Sequence, residues 1–178
     1  MPHPFAASRA PDTSTLVFVG RTREQQELRT VLAAALGGHG AIALISGEAG
    51  IGKTTLAEAP YGPWIELFAH YPADVEGLTL PSAFTQPGGV GAVASQATLF
   101  DAVRAFVTAA AARCPLVLLL DDLQWAAPAS LDLLRFLART LADLPVLLLA
   151  TYRADDLPRD HPLHRLVPAL VRESRATR

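Results

Sequence analysis

Apolar residues recur along this chain with two different periods, and the alternation between them lays out a series of helices and strands. Leu28, Val31, Leu32 and Leu36 stand at helical spacing. They predict an amphipathic helix over about 22–36, opened by Thr22-Arg-Glu-Gln25 in capping-box form and closed by Gly37-Gly38. Ala41 to Ser46 (AIALIS) is a short apolar strand. Leu99, Val103, Phe106, Val107 and Ala110 share one face of a helix over 97–113, ended by Cys114-Pro115. Leu116 to Asp121 (LVLLLD) is apolar up to its last residue, as expected of a strand covered on both faces. Pro128 suits the first turn of a helix whose Leu131, Leu134, Leu137 and Leu141 face inward. Val146 to Thr151 (VLLLAT) is a third buried strand, followed by Tyr152-Arg153. A last helix is carried by Leu163, Leu166, Val167, Leu170 and Val171, with Pro168 expected to kink it.

Three apolar strands separated by helices define the α/β class with a parallel, doubly wound sheet. Residues 1–15 hold several prolines and small polar residues and read as a loose tail before a domain over 16–178. Residues 72–95 are rich in Gly and Pro with no firm period, and read as loop. No internal repeat and no basic helix-turn-helix is evident.

Composition narrows the choice of function. The chain has 178 residues, enough for one domain with a sizeable core. Hydrophobic residues make up 51% and charged residues 18%, which excludes a largely disordered chain. A formal net charge of −2 gives no general attraction to nucleic acid or an anionic membrane. The longest apolar run, Leu116 to Leu120, is too short to span a bilayer, and the opening MPHPFAASRAPDTSTL lacks the pattern of a signal peptide. The single cysteine, Cys114, cannot form an internal disulfide and reads as buried filler; a cytoplasmic setting is expected.

The basic residues sharpen the picture. All are arginine except Lys53, and Lys53 stands within Gly47-Glu48-Ala49-Gly50-Ile51-Gly52-Lys53-Thr54. This run matches the phosphate-binding pattern G-x-x-x-x-G-K-[ST] and lies between a strand and a helix start. Its glycines allow successive backbone N–H groups to turn inward around phosphates, with the helix N-terminus adding its positive end. Lys53 would reach the β- and γ-phosphates as a compact ammonium that a forked guanidinium does not replace. Thr54 would offer its hydroxyl to Mg²⁺, and Thr55 a further donor toward the α-phosphate.

Asp121 and Asp122 end the strand LVLLL. There the first carboxylate can hold Mg²⁺ through water, and the second can orient or deprotonate an attacking water. Alternatively the pair merely begins a loop. Arg153 follows VLLLAT, where it either reaches a γ-phosphate from an adjacent strand end or starts a solvated loop. Trp64 and Trp125 read as packing residues. His3, His39, His70, His161 and His164 form no metal-ligand pattern, and no Ser/His/Asp or Cys/His arrangement can be read.

With these motifs in hand, the chain resembles a known family. "FVGRTREQQELRTVLAAAL", "GEAGIGKTTL", "APYGPW", "PLVLLLDDLQWAAPASLDLLRFLAR" and "LPVLLLATYRADDLPRDHPLHRL" are similar to successive segments of the signal-transducing (STAND-class, origin-recognition-like) AAA ATPase domain. That domain stands at the front of large bacterial LuxR-type transcriptional regulators. The resemblance implies a three-layer P-loop NTPase fold that binds ATP and Mg²⁺. It also implies slow hydrolysis as a switch, ATP and ADP as partners, self-association through the ATPase domain, and no direct nucleic-acid or membrane contact from this segment. By motif, Gly20 and Arg21 would lie near the base, and Lys53, Thr54 and Thr55 would hold phosphates and metal. Asp121 would serve the metal, Asp122 the water, and Arg153 would sense the γ-phosphate.

The chain departs from the family pattern at one place inside it. Only Thr55-Leu-Ala-Glu-Ala59 separates the loop from Pro60, where the family carries a longer helix and a second strand. The fifth strand would begin about where Arg178 stands. In the family's sheet order, 5-1-4-3-2, both outer strands would then be missing. The chain therefore reads as a fragment or internally deleted copy with an incomplete P-loop domain. Two alternatives remain open at this point: a module that binds nucleotide without hydrolysis, and a degenerate fragment that does neither.

Overall fold

The computed structural model describes residues 22–46, 60–71, 78–85, 89–92, 95–173 and 176–177. Helices α1 (Thr22–Leu36), α2 (Gly62–Ala69), α3 (Ser82–Thr85), α4 (Gln96–Ala111), α5 (Pro128–Thr140) and α6 (Leu163–Glu173) alternate with strands β1 (Ala41–Ser46), β2 (Leu116–Leu120), β3 (Val146–Tyr152) and β4 (Ala176–Thr177). The sheet order is β2-β3-β1-β4 and all pairings are parallel. Three strands carry the sheet, as expected. Beyond that expectation, the two-residue β4 pairs Ala176 with Ile42 and Thr177 with Ala43, on the side where a fifth strand belongs.

Two layers of helix sandwich this sheet unequally. Ile42, Leu44, Leu148, Ala150 and Leu120 face a large cluster built with α2, α4, α5 and α6. Ala43 and Leu147 face the other way, where only Val31 and Ala35 of α1 are buried against them. The connections from β2 to β3 and from β3 to β4 step in the same direction across the sheet. Right-handed crossovers therefore place α5 and α6 on one face.

The unequal layers overturn one sequence expectation. LVLLL is not covered on both faces: Val117 and Leu119 are 57% and 53% exposed, while Leu120 is buried. The reason is geometric, since α1 packs over β1 and β3 and does not extend to β2. In α1 itself the buried seam is Val31 and Ala35, and Leu32 and Leu36, expected to face inward, lie exposed.

Elsewhere the periodicity holds. In α4 the expected face Leu99, Val103, Phe106, Val107 and Ala110 is buried, and Ser95 caps the helix by accepting the Thr98 N–H at its Oγ. In α5, Pro128 stands in the first turn and Leu131, Leu134, Leu137 and Leu141 are buried. The last helix runs on through Pro168, with Val171 exposed. Cys114 is half-buried and is not core filler, because it lies in the turn after α4.

Helix α2 was not legible in Pro60-Tyr-Gly-Pro63, which looks like a break. Its residue Pro63 instead occupies the first turn, where a missing N–H costs nothing, and Tyr61 takes a left-handed conformation (φ 62°) at the N-cap. Trp64, 1% exposed, then donates its Nε1–H to the Ser130 carbonyl at 3.0 Å and docks α2 on α5. This bears out the packing role of Trp64. Phe68 stacks on Phe84 of α3 with ring centroids 4.8 Å apart, and meets Phe106 of α4 edge-on at 5.5 Å. The short α3 and a 3₁₀ turn at Gly89–Ala92 replace part of the loop expected over 72–95.

Candidate functional site

The carboxyl ends of β1, β3 and β2 form one edge of the sheet. Register puts Ser46 opposite Tyr152, and Leu120 opposite Ala150. Asp121, Asp122, Thr151 and Arg153 therefore gather beside the point where the chain leaves β1 for Gly47. After β1 the chain crosses the sheet toward β2, whereas after β3 it crosses the opposite way to β4. The crevice between β1 and β3 opens at the carboxyl ends of the strands, the edge at which open parallel sheets bind ligands.

Asp121 and Asp122 are held in a tight local network. Asp122 adopts φ 54° and ψ 46°, a left-handed conformation that aspartate tolerates better than most residues. Its backbone N–H is shared between Asp121 Oδ1 at 3.1 Å and Thr151 Oγ1 at 3.0 Å. The Thr151 hydroxyl in turn donates to Asp121 Oδ1. Thr151 therefore locks the first carboxylate to the end of β3.

The second carboxylate is tied to the arginine. Gln124, in the short 3₁₀ turn Leu123–Trp125, donates its Nε2–H to Asp122 Oδ1 at 2.9 Å and accepts the Arg153 backbone N–H at Oε1, 3.0 Å away. The Arg153 guanidinium lies 3.7 Å from Asp122 Oδ1 through Nη2 and donates to Asp156 Oδ2 at 3.3 Å through Nη1. Arg153 is thus integrated into the acidic cluster and does not begin a freely solvated loop.

Of the residues expected from the sequence, the structure brings together Asp121, Asp122 and Arg153. Gly20, Arg21 and the run Gly47, Glu48, Ala49, Gly50, Ile51, Gly52, Lys53, Thr54 and Thr55 lie outside the described residues. Sequence reasoning missed Gln124 and Thr151. Thr151 left a faint signal, as the polar residue closing VLLLAT; Gln124, inside LQW, left none.

A neighbouring histidine stiffens the segment after Arg153. His161 Nδ1 accepts the Leu163 N–H at 3.2 Å, at the start of α6. Burial holds its pKa below the ordinary 6.5, and His164 pushes the same way. A hydrogen bond to the Gln124 backbone and the Asp160 charge oppose that shift. A histidine kept neutral on folding adds stability that is complete above about pH 6.5 and is lost as pH falls through the lower folded value. We expect the urea midpoint of the wild type to fall as pH drops below 6.5. In His161→Gln that part of the slope should disappear; an unchanged slope would remove His161 as its source.

Among the described residues no group of three or more His, Cys, Asp or Glu could hold a metal ion. The donor set instead fits Mg²⁺ brought with a nucleotide, which needs one or two carboxylates and takes its other ligands from phosphates and water.

Fold and site together define a class: an α/β domain of the P-loop nucleoside triphosphatase type, with a parallel sheet of three full strands and only the two-residue β4 on the outer side of β1. A family model described as AAA ATPase domain matches residues 17–60 and 57–149. The chain belongs to that family. No curated protein and no solved structure matches the chain significantly.

Proposed function

We propose that the chain binds Mg·ATP at the carboxyl edge of its sheet and hydrolyses it slowly, as the nucleotide switch of a bacterial signalling or transcriptional regulator in the cytoplasm. One observation carries the chemical part. The Asp122 carboxylate is fixed at the end of β2 and joined to Arg153 at the end of β3, next to the strand from which GEAGIGKT departs. Lys53, Thr54 and the loop amides would hold phosphate oxygens. Asp121, with Thr54, would hold Mg²⁺, whose chemistry is to neutralise charge on the β- and γ-phosphates. Asp122 would orient water and accept its proton, and Arg153 would turn toward the γ-phosphate. The regulator role is supported by the segments FVGRTREQQELR and DDLQWAAPASLDLLRFL, which resemble those of the signal-transducing domains. The family match divides at residues 57–60, where the sequence shortens relative to that resemblance.

A second reading is that nucleotide is held without turnover. It is favoured by the Arg153–Asp122 pair, since a guanidinium 3.7 Å from that carboxylate and bonded to Asp156 is turned toward acidic side chains, where a γ-phosphate sensor would have to turn away from them.

Thermal unfolding with and without Mg·ATP tests the binding common to both readings. A hundredfold excess over Kd should stabilise the wild type by about 2.7 kcal/mol, and Lys53→Ala should lose that shift. A cooperative transition with no shift in the wild type would sink both.

A further inference from the structure

Gln124 is 3% exposed, one of the few polar side chains buried in the described residues, and both ends of its amide are engaged. The donor end meets Asp122 Oδ1 and the acceptor end meets the Arg153 N–H. Only one orientation of the amide satisfies both partners, because a carboxylate oxygen requires a donor and an N–H requires an acceptor. The side chain therefore spans two adjacent strand ends at a fixed length, 2.9 Å from one and 3.0 Å from the other. From these contacts we infer that Gln124 is a positioning residue: it holds the Asp122 carboxylate in register with Arg153, so that movement of one is felt by the other.

The inference rests on the proposed ATP site for its catalytic meaning, but the linkage itself exists without nucleotide. A leucine at this position fills the volume and leaves Asp122 Oδ1 and the Arg153 N–H without the amide. A glutamate keeps the acceptor for Arg153 and, when ionised, sets a negative charge against Asp122.

Two measurements test the linkage. In the nucleotide-free protein, Gln124→Glu should be less stable than wild type near pH 8, and the deficit should shrink toward about pH 5. There the new carboxyl, its pKa raised by burial and by Asp122, binds a proton and donates again. The folded state then binds more protons than the unfolded one, so relative stability rises as pH falls. In the Asp122→Gly background, which keeps the left-handed backbone without the side chain, the recovery should be clearly smaller, because burial alone then raises that pKa. With Mg·ATP, Gln124→Leu should lower kcat about tenfold per nucleotide-binding molecule, while Kd stays within about threefold. A merely structural role would lower the folded fraction and leave kcat and KM of the folded molecules unchanged.

A deficit in Gln124→Glu that is independent of pH, or one that recovers just as fully without the Asp122 side chain, would overturn the inference. So would wild-type kcat in Gln124→Leu. If the wild type binds no Mg·ATP, the proposed function fails, and the pH experiment still decides whether Gln124 couples the two residues. If Gln124→Leu does not fold, Gln124→Glu near pH 5 supplies the kinetic comparison: recovered turnover supports the inference and its absence overturns it.

Discussion

Asp122→Asn is expected to lower ATP turnover by about a hundredfold or more while leaving Mg·ATP binding intact. Asparagine has the same shape as aspartate and shares its tolerance for the left-handed backbone seen at φ 54°. Its Oδ1 can still accept the Gln124 amide, so the tie to β3 survives. What it lacks is the charge and the capacity to take a proton, and removing a positioned general base typically costs 10²–10⁴ in rate. The loss should therefore fall on kcat. Affinity should hold or improve, because Arg153 is released from a charge 3.7 Å away and becomes available to phosphate. Single-turnover hydrolysis measured beside a binding titration separates the two quantities. Equal slow turnover in wild type and variant would remove Asp122 as the base. Saturable binding with no turnover in either would establish the module that holds nucleotide without hydrolysing it. Alanine is a poorer probe here, since it would add backbone strain of order 1 kcal/mol or more to the loss of the carboxylate.

The two halves of this site were not equally readable. LVLLLDD and VLLLATYR announce strands with polar residues at their ends, and parallel register alone brings those ends together. Asp121, Asp122 and Arg153 were legible for that reason. Gln124 was not, because its role depends on a 3₁₀ turn that folds the chain back over the strand ends, and three residues of sequence do not specify that turn. The exposed face of β2 was hidden for a different reason. An apolar run records that a strand suits burial, whereas coverage depends on which helix reaches it. Helix α1 stops over β3, and Val117 and Leu119 stay open. Helix α2 was masked by Gly62 and Pro63, residues that break a helix in its interior and begin one at its first turn.

Gly40→Ala is expected to be the most damaging alanine substitution among Gly37, Gly38, Gly40 and Gly89. Gly40 leads from α1 into β1 and donates its N–H to the Ala142 carbonyl at 2.8 Å. A Cβ there would lie 1.8 Å from the Leu141 carbonyl oxygen, 2.8 Å from its carbon and 3.1 Å from the Leu144 oxygen. All three are backbone atoms, so no side-chain rotation relieves the clash, and the 141–145 turn or β1 must move. Both are constrained: Leu141 is buried at the end of α5, and Ala41 is already in register with Leu147. Overpacking of this kind costs about 3 kcal/mol, a large share of the stability of an ordinary domain. Two nearby glycines serve as controls. Gly38 has φ +84° with nothing within 4 Å of its Cβ position, so alanine there should cost about 1 kcal/mol of backbone strain alone. Gly37 makes only contacts of 3.4 Å or longer, and alanine there should be nearly neutral. Chemical denaturation of the three variants should rank them in that order, and a Gly40→Ala variant within 1 kcal/mol of wild type would refute the close approach. The damage should also reach the site. Register of β1 against β3 sets Ser46 beside Tyr152, so any Gly40→Ala molecules that still fold should show a weakened thermal shift with Mg·ATP.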